Sequence, residues 1–327
     1  MKEFYRKVIR ASGRISDILV FTAILCFVVS ILGAFPGQLI INCLTPFLEK
    51  LAGNEGAADF LGRYLNTIGA WIAGLLFIAI FRKNHPMFKS LAYKKGGNDF
   101  KNLGIGLLLG LGTNGICILF SWLSGDIKLS FFGFDFILLL AFFIAVFCQS
   151  SSEELIMRVY AYQKLRRRYR HPLIAIIGNG VVFALMHAFN PGFTLIAASQ
   201  IFLIGVIFSL LIYYYDSFWM ASAFHAGWNY SQSIIFGLPN SGLVSAYSLF
   251  NLEAASARDG LFYNVNFGVE GSIGSSIILL IILAAIILMN RGKKEKTDLW
   301  ADMEYQEEIR RQQKEAEKNK VENGQES

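Results

Sequence analysis

The sequence predicts an all-α, polytopic membrane protein with about eight transmembrane helices and both termini on the cytoplasmic side. Three observations carry this expectation. First, 54% hydrophobic residues against 17% charged, with a mean hydropathy of +0.46, is too apolar for an ordinary soluble domain. Second, apolar runs of the roughly 17–25 residues that a helix needs to cross hydrocarbon recur along the chain. They fall at 17–35, 66–81, 103–123, 131–149 with an extension, 172–188, 193–215, 218–236 and 272–290. None shows the roughly ten-residue alternation of a β-barrel strand. Third, Lys and Arg crowd alternate loops. Arg6, Lys7, Arg10 and Arg14 precede the first run; Arg82, Lys83, Lys89, Lys94 and Lys95 follow the second. Lys164, Arg166, Arg167, Arg168 and Arg170 follow the fourth, and Arg291, Lys293, Lys294 and Lys296 the last. Positive loops are retained in the cytoplasm, so an even number of spans with both ends inside satisfies every bias. The net charge of +6 then belongs to topology and to anionic lipid, and no nucleic-acid partner is implied.

Taken in order, the first segment has the basic flank and apolar centre of a signal peptide. Its length and the lack of a small-residue cleavage pattern make it an uncleaved first span. Residues 36–63 are expected to form an outside loop, with 38–51 as a helix lying in the interface. Gly104, Gly106, Gly110 and Gly112 in the third run lack the strand and the GK[ST] of a nucleotide loop, and small residues permitting close helix packing are the better reading. The longest outside loop, 238–269, is expected to cap the outer face. From Lys293 onward Glu, Lys, Gln and Arg dominate, predicting a solvated cytoplasmic helix that frays into disorder. It has no sustained apolar heptad and ends GQES, so neither a coiled coil nor a prenylated CaaX cysteine is expected. Cys26, Cys43, Cys117 and Cys148 lack CxxC spacing and read as small hydrophobes. The chain thus divides into helices 1–3 (1–130), a four-helix core (131–236), an outer loop with the last span (237–290) and a charged tail (291–327).

Chemistry concentrates in the core. Glu153 and Glu154 follow directly on an apolar run, and charges at membrane depth are costly, usually partnered and functional. Glu154 and Arg158 stand at i, i+4 with the acid first, the favourable order for an ion pair, which leaves Glu153 facing elsewhere. His187 follows Phe183 by four residues, and His225 precedes Asn229 by four, so each pair shares a helix face. At 1.5 Å per residue Glu153 lies ~16 Å from the Lys164 end of its helix, His187 ~22 Å above Pro172, and His225 and Asn229 ~10 and ~16 Å above Phe218. These depths allow one buried pocket. A carboxylate with an imidazole can activate water, and an imidazole with a carboxamide can stabilise an oxyanion. Two histidines and a glutamate are also a possible zinc set, Glu153, His187 and His225, although HExxH is absent.

At these residues the chain resembles the CPBP family, which comprises CAAX proteases and bacteriocin-processing enzymes, including type II CAAX prenyl endopeptidases and the Abi-type bacterial proteins. The family motifs EExxxR, FxxxH and HxxxN stand here as Glu153-Glu154-xxx-Arg158, Phe183-xxx-His187 and His225-xxx-Asn229, in the family's order, and the resemblance covers about 131–236. It implies an intramembrane endopeptidase in which Glu153 and His187 activate water and His225 and Asn229 form the oxyanion hole. Glu154 and Arg158 then hold the helix and tune Glu153. The family has been described both as metalloproteases and as glutamate proteases. The metal-free form is favoured here because Asn229, a poor zinc ligand and a good donor, stands where a third strong ligand is expected. The implied partners are the lipid bilayer and a membrane-associated protein or peptide, with a prenylated CaaX protein, a pheromone or bacteriocin leader and a membrane-anchored regulator all open. The implied location is a bacterial plasma membrane.

Plainer readings stand beside this one. Glu153 alone reads as an interfacial carboxylate near Arg166–Arg168, and the histidines and Asn229 singly as interhelical polar contacts. His85 and His171 sit beside prolines in basic loops, where solvation explains them. Ser151 and Ser152 have no GxSxG elbow around them. The competing functions are a proton-coupled transporter, for which neither inverted repeats nor interrupted helices are evident, and a non-catalytic scaffold or immunity protein of the same fold.

Overall fold

The computed structural model describes residues 7–322; Arg6 and the terminal GQES lie outside the described residues. The chain is helical almost throughout. Five of its helices are long and apolar enough to cross a membrane, with shorter apolar helices at Pro172–Met186 and Ile273–Met289.

Helix α1, Leu19–Ala52, runs unbroken through Pro36 and Pro46. The expected break at 36 and the separate interfacial helix at 38–51 are therefore not formed. An interior proline forfeits one backbone bond and strains the preceding turn, but here the neighbouring turns are clamped by tertiary contact. Gly33 and Gly37 lie directly against Gly69, Ala70 and Asn66, where a Cβ on Gly37 or Gly69 would overlap the facing backbone. Asp17 precedes α1 in a short 3₁₀ turn and is not part of the span. Gly53 closes α1 in the left-handed conformation, and the Asn54 side chain then accepts from Ala57 N to start α2, Glu55–Asn66. Helix α3, Ile68–Ile80, continues from it after Thr67.

Helix α4, Phe100–Leu123, is capped by Asp99. Of its five glycines, Gly106 and Gly110 face the backbone of Met220 and Phe224, whereas Gly104, Gly112 and Gly115 meet nothing. The packing reading of this stripe thus holds for one face only. Residue 131 does not begin the next span. It ends strand β1, Leu129–Phe131, which pairs antiparallel with β2, Phe250–Leu252, and the span begins as α5, Phe136–Glu154, capped by Asp135. A π-helical stretch, Leu155–Ala161, joins α5 to α6, Tyr162–Arg168. Helix α7, Pro172–Met186, has proline in its first turn, and the His171 ring accepts from Leu173 N. His171 is therefore a cap, and His85 is bonded to the Ala79 carbonyl at 2.8 Å, so neither is simply a solvated loop residue. Helices α8, Leu195–Tyr215, and α9, Phe218–Tyr230, follow, α9 running on through a π-turn to Ile235. Helix α10 is Ile273–Met289 and α11 is Ala301–Glu322.

With α2–α3 and α5–α6 each counted as one continuous run, the chain passes back and forth, so the connections fall at two ends. One end gathers the Lys and Arg residues and is tightly bonded. Asp17, fully buried, is gripped by Arg167 at 2.7 Å and Lys164 at 2.9 Å, while Arg167 also donates to Lys83 O and Asn84. Burial alone would raise the Asp17 carboxyl, but these two cations hold it below the usual carboxylate range. The helix expected in the tail forms as α11 and is exposed along most of its length, but the segment that leads into it is docked on the basic end. Asp298 pairs with Arg10 at 2.6 Å, Glu295 with Arg166, and Glu304 accepts from the Ala11 and Ser12 amides at 3.0 and 2.9 Å. Trp300 is fully buried beneath the Arg167 guanidinium, 4.8 Å from its ring centre. A cation over a desolvated indole contributes about 2 kcal/mol, which an isolated polar helix would lack. The opposite end carries the β-pair, the Asp126–Arg258 contact and the loop 236–272.

Partial burial opposes the ionisation of Asp298 and Glu304, yet Arg10 and the Ser12 and Ala11 amides outweigh it, and both carboxyls are depressed. A depressed carboxylate contributes docking energy that is complete above its ordinary pKa, about 4, and is lost as pH falls through the lower folded value. The fluorescence difference between wild type and Trp300→Phe should therefore hold steady from pH 8 to about 5 and shift to the red only below about 4. A shift near neutrality would contradict this docking.

Candidate active site

The site is built on two levels. The lower level is dry. Arg158, inside the π-helical stretch, places Nε 2.9 Å from Glu154 Oε2, and both side chains are wholly buried. The pair lacks the alignment of a hydrogen bond at that contact, so its binding is coulombic. Two ions taken out of water cost several kcal/mol each unless further bonds compensate; here Arg158 Nη1 and Glu154 Oε1 find partners, while Arg158 Nη2 has none. Arg158 Nη1 donates to Asn179 Oδ1 at 2.6 Å, and Asn179 Nδ2 in turn donates to Met157 O at 2.7 Å. The guanidinium lies over the rings of Phe183 and Phe208, 4.9 and 5.3 Å from their centres. Glu154 Oε1 accepts from His225 Nδ1 at 3.0 Å. One pair therefore links α5, the π-stretch, α7, α8 and α9.

The upper level opens into a cavity of about 300 Å³ lined by Gln149, Glu153, His187, His225, Asn229 and Glu270, among others. Glu153, one position before Glu154 and so about 100° around the helix, points away from Arg158. Gln149 Nε2 donates to Glu153 Oε1. That leaves Oε2, a buried atom with no hydrogen-bond partner, 3.8 Å from His187 Nε2 and 4.0 Å from His225 Nε2. Both imidazoles are anchored through their other nitrogen, His225 on Glu154 and His187 on the Phe183 carbonyl at 2.9 Å. A ring whose Nδ1–H is so engaged turns Nε2 toward the cavity. The Phe183 ring stands edge-on to both, 4.8 Å from His187 and 6.0 Å from His225. The Asn229 amide nitrogen donates to Gln149 Oε1 at 3.1 Å and Ser150 Oγ at 3.2 Å. A second lobe of about 360 Å³ shares Glu153 and His187 and extends between α1 and α7, past Ser30, Ala34 and Met186.

All six sequence-predicted residues thus lie in one connected group, with Glu153, His187, His225 and Asn229 on the cavity and Glu154 and Arg158 beneath it. Ser151 and Ser152 are bonded to the Cys148 and Gln149 carbonyls, and Ser152 lines the second lobe beside Glu153. Three participants were not anticipated. Gln149 bridges Glu153 and Asn229, and its signal was available in the i, i+4 spacing from Glu153. Asn179 serves Arg158 from another helix and had no local signal. Glu270, in the 3₁₀ turn before α10, accepts from Trp228 Nε1 at 2.9 Å and from the Ser241 amide and hydroxyl at 2.9 and 2.8 Å. Burial pushes its carboxyl up, against the bonds from Ser241 and Trp228. It fastens the 240–243 loop to the helix bearing His225 and Asn229.

As for metals, among the described residues no group of three or more His, Cys, Asp and Glu is placed to hold an ion. Ligand atoms around a zinc at about 2.0–2.2 Å stand about 3.4 Å apart, closer than the 3.8 and 4.0 Å separating Glu153 from the two imidazoles.

A helical membrane core that buries a Glu–Arg pair beneath a Glu–His–His–Asn cavity defines a candidate intramembrane hydrolase. Residues 135–231, which carry α5, the π-stretch, α6–α8 and α9, match the family described as Type II CAAX prenyl endopeptidase Rce1-like, and the match supports a CAAX-type (CPBP) protease. No curated protein and no solved structure matches the chain significantly.

The buried pair makes a specific stability prediction. Arg158→Met, which strands Glu154 without its cation, should cost about 3–5 kcal/mol, seen as a lower midpoint of thermal unfolding in detergent. Joining it with Glu154→Leu should restore most of the loss; purely additive losses would show that the two charges do not act as a pair.

Proposed function

We propose that the protein is an intramembrane endopeptidase that hydrolyses a peptide bond of a membrane-associated or lipidated protein or peptide with water activated by Glu153. The observation that carries this reading is Glu153 Oε2, buried, without a hydrogen-bond partner, and set 3.8 and 4.0 Å from two imidazole nitrogens on the cavity wall. Those separations exceed a direct hydrogen bond, about 2.7–3.2 Å, and suit groups that share a single water.

Glu153, steadied by Gln149, takes a proton from that water as its oxygen bonds to the scissile carbonyl carbon, and the carbonyl electron pair moves onto oxygen. His187, held by the Phe183 carbonyl, orients the water and shares the proton. The oxyanion accepts from His225 Nε2–H, whose ring is supported at Nδ1 by the Glu154 carboxylate, and from the Asn229 amide in place of Gln149 Oε1. Collapse of the intermediate breaks the C–N bond, and the proton held by Glu153 passes to the leaving amine. Positioned proton transfer contributes about 10²–10⁴ in rate, and an oxyanion donor about 10²–10³.

A zinc-dependent form has one feature in its favour, the Glu154 carboxylate on His225 Nδ1, an arrangement that also supports metal-bound histidines. Glu153, His187 and His225 would be its ligands. As they stand these donors, 3.8 and 4.0 Å apart, would have to close in to hold the ion.

With purified protein in detergent and a quenched membrane-anchored peptide, Glu153→Gln should lower kcat by about 10²–10⁴ with an unchanged thermal midpoint. Asn229→Ala should lower kcat by about 10²–10³ with little change in KM. Full turnover in Glu153→Gln would overturn the mechanism. Proton-driven solute flux in liposomes without any proteolysis would place the protein among carriers instead.

Prolonged dialysis against a strong zinc chelator is expected to leave kcat unchanged. Activity lost on chelation and regained with added Zn²⁺ would favour the zinc form.

A further inference from the structure

Given the peptidase reading above, which side of the membrane supplies the substrate follows from where the cavity opens and where the charges lie. The cavity is bordered by Arg63, Asn190, Asn240, Ser241 and Leu243, all in turns or loops, or on α2, at the end away from the basic cluster. No residue of the basic end lines either lobe. Beneath the cavity the way is stopped, first by Glu154, Arg158, Asn179 and Ser209, each with no exposed surface, and then by Asp17 with Lys164 and Arg167. Access is one-sided.

The two ends differ strongly in charge. Segments 7–18, 81–101, 164–171, 216–217 and 290–296 hold eighteen Lys and Arg against four Asp and Glu. Segments 49–67, 124–135, 187–194 and 236–272, at the cavity end, hold four Lys and Arg against eight Asp and Glu. All of these are short enough for positive charge to fix orientation, since the bias operates on loops below about 60 residues. Each Lys or Arg near the surface of the anionic cytoplasmic leaflet is favoured there, which reinforces the bias.

We propose that the catalytic cavity faces the non-cytoplasmic side and takes a peptide segment presented from that side while still anchored in the membrane. The two lobes divide the substrate. The lobe beneath Asn240 and Ser241 receives the extended polar chain from above, and the lobe between α1 and α7 admits the apolar anchor. A CaaX tail on the cytoplasmic surface would meet the sealed, basic end.

Orientation is testable without any substrate. With exposed Cys43 changed to Ser, Val244→Cys marks the cavity end and Lys95→Cys the basic end, both exposed and neither in the cavity wall. In intact cells an impermeant maleimide should label Val244→Cys, and Lys95→Cys only after permeabilisation; the reverse pattern overturns the proposal. A peptide with an N-terminal acyl anchor and a fluorophore–quencher pair should then be cut when added to right-side-out vesicles at least tenfold faster than when added to inverted ones. Faster cleavage in inverted vesicles overturns it as well. Outward labelling with no hydrolysis on either side, identical to Glu153→Gln, overturns the peptidase reading and the substrate assignment with it, and leaves the orientation standing.

Discussion

The buried contact between Glu154 and Arg158 sets the terms for the rest of the core. A cation and an anion in the middle of an apolar bundle are tolerated when their mutual attraction is supplemented by polar and aromatic partners. These partners come from different helices: Asn179 from α7, His225 from α9, aromatic faces from α7 and α8. The helices are therefore registered against one another by electrostatics as well as by shape. Moving any of them by a fraction of a turn would strand a charge.

That registration has a by-product at the next residue. Because Glu154 is committed to the interior, Glu153 is turned about 100° away, toward the region where His187 and His225 present Nε2. The π-helical stretch that follows contains Arg158, and such widened turns occur often at functional sites. Several cavity groups are held by a neighbour: His225 by Glu154, His187 by the Phe183 carbonyl, Glu153 by Gln149, and the 240–243 loop by Glu270. Functional groups held on helices by such partners keep closer geometry than groups on loops.

Much of this was legible in the sequence because it is local. Helical period, i, i+4 pairs and loop charge are all functions of spacing, and they identify the spans, the Glu154–Arg158 pair and the histidine and asparagine that share a face. What spacing cannot carry is what comes from elsewhere in the chain. Pro36 and Pro46 read as breaks, yet Gly33 and Gly37 pack so closely on α3 that the helix continues. The tail reads as solvated because its partners, Arg10, Ser12 and Arg166, lie up to about three hundred residues away. Asn179 and Glu270 read as ordinary polar residues until another helix supplies Arg158 and Trp228. Phe131 was counted as apolar helix because a three-residue strand and a short apolar helix segment look alike without their neighbours.

Helix α1 has a geometric consequence of its own. Its 34 residues make it ~51 Å long at 1.5 Å per residue, against a hydrocarbon core of about 30 Å. Even a tilt of 40°, the upper end of the usual range, shortens its vertical reach only to ~39 Å. With α2 folded back against it, α1 exceeds the hydrocarbon thickness by ~10–20 Å. That surplus carries α1 out of the hydrocarbon and into the headgroup region, where its flanking residues meet water.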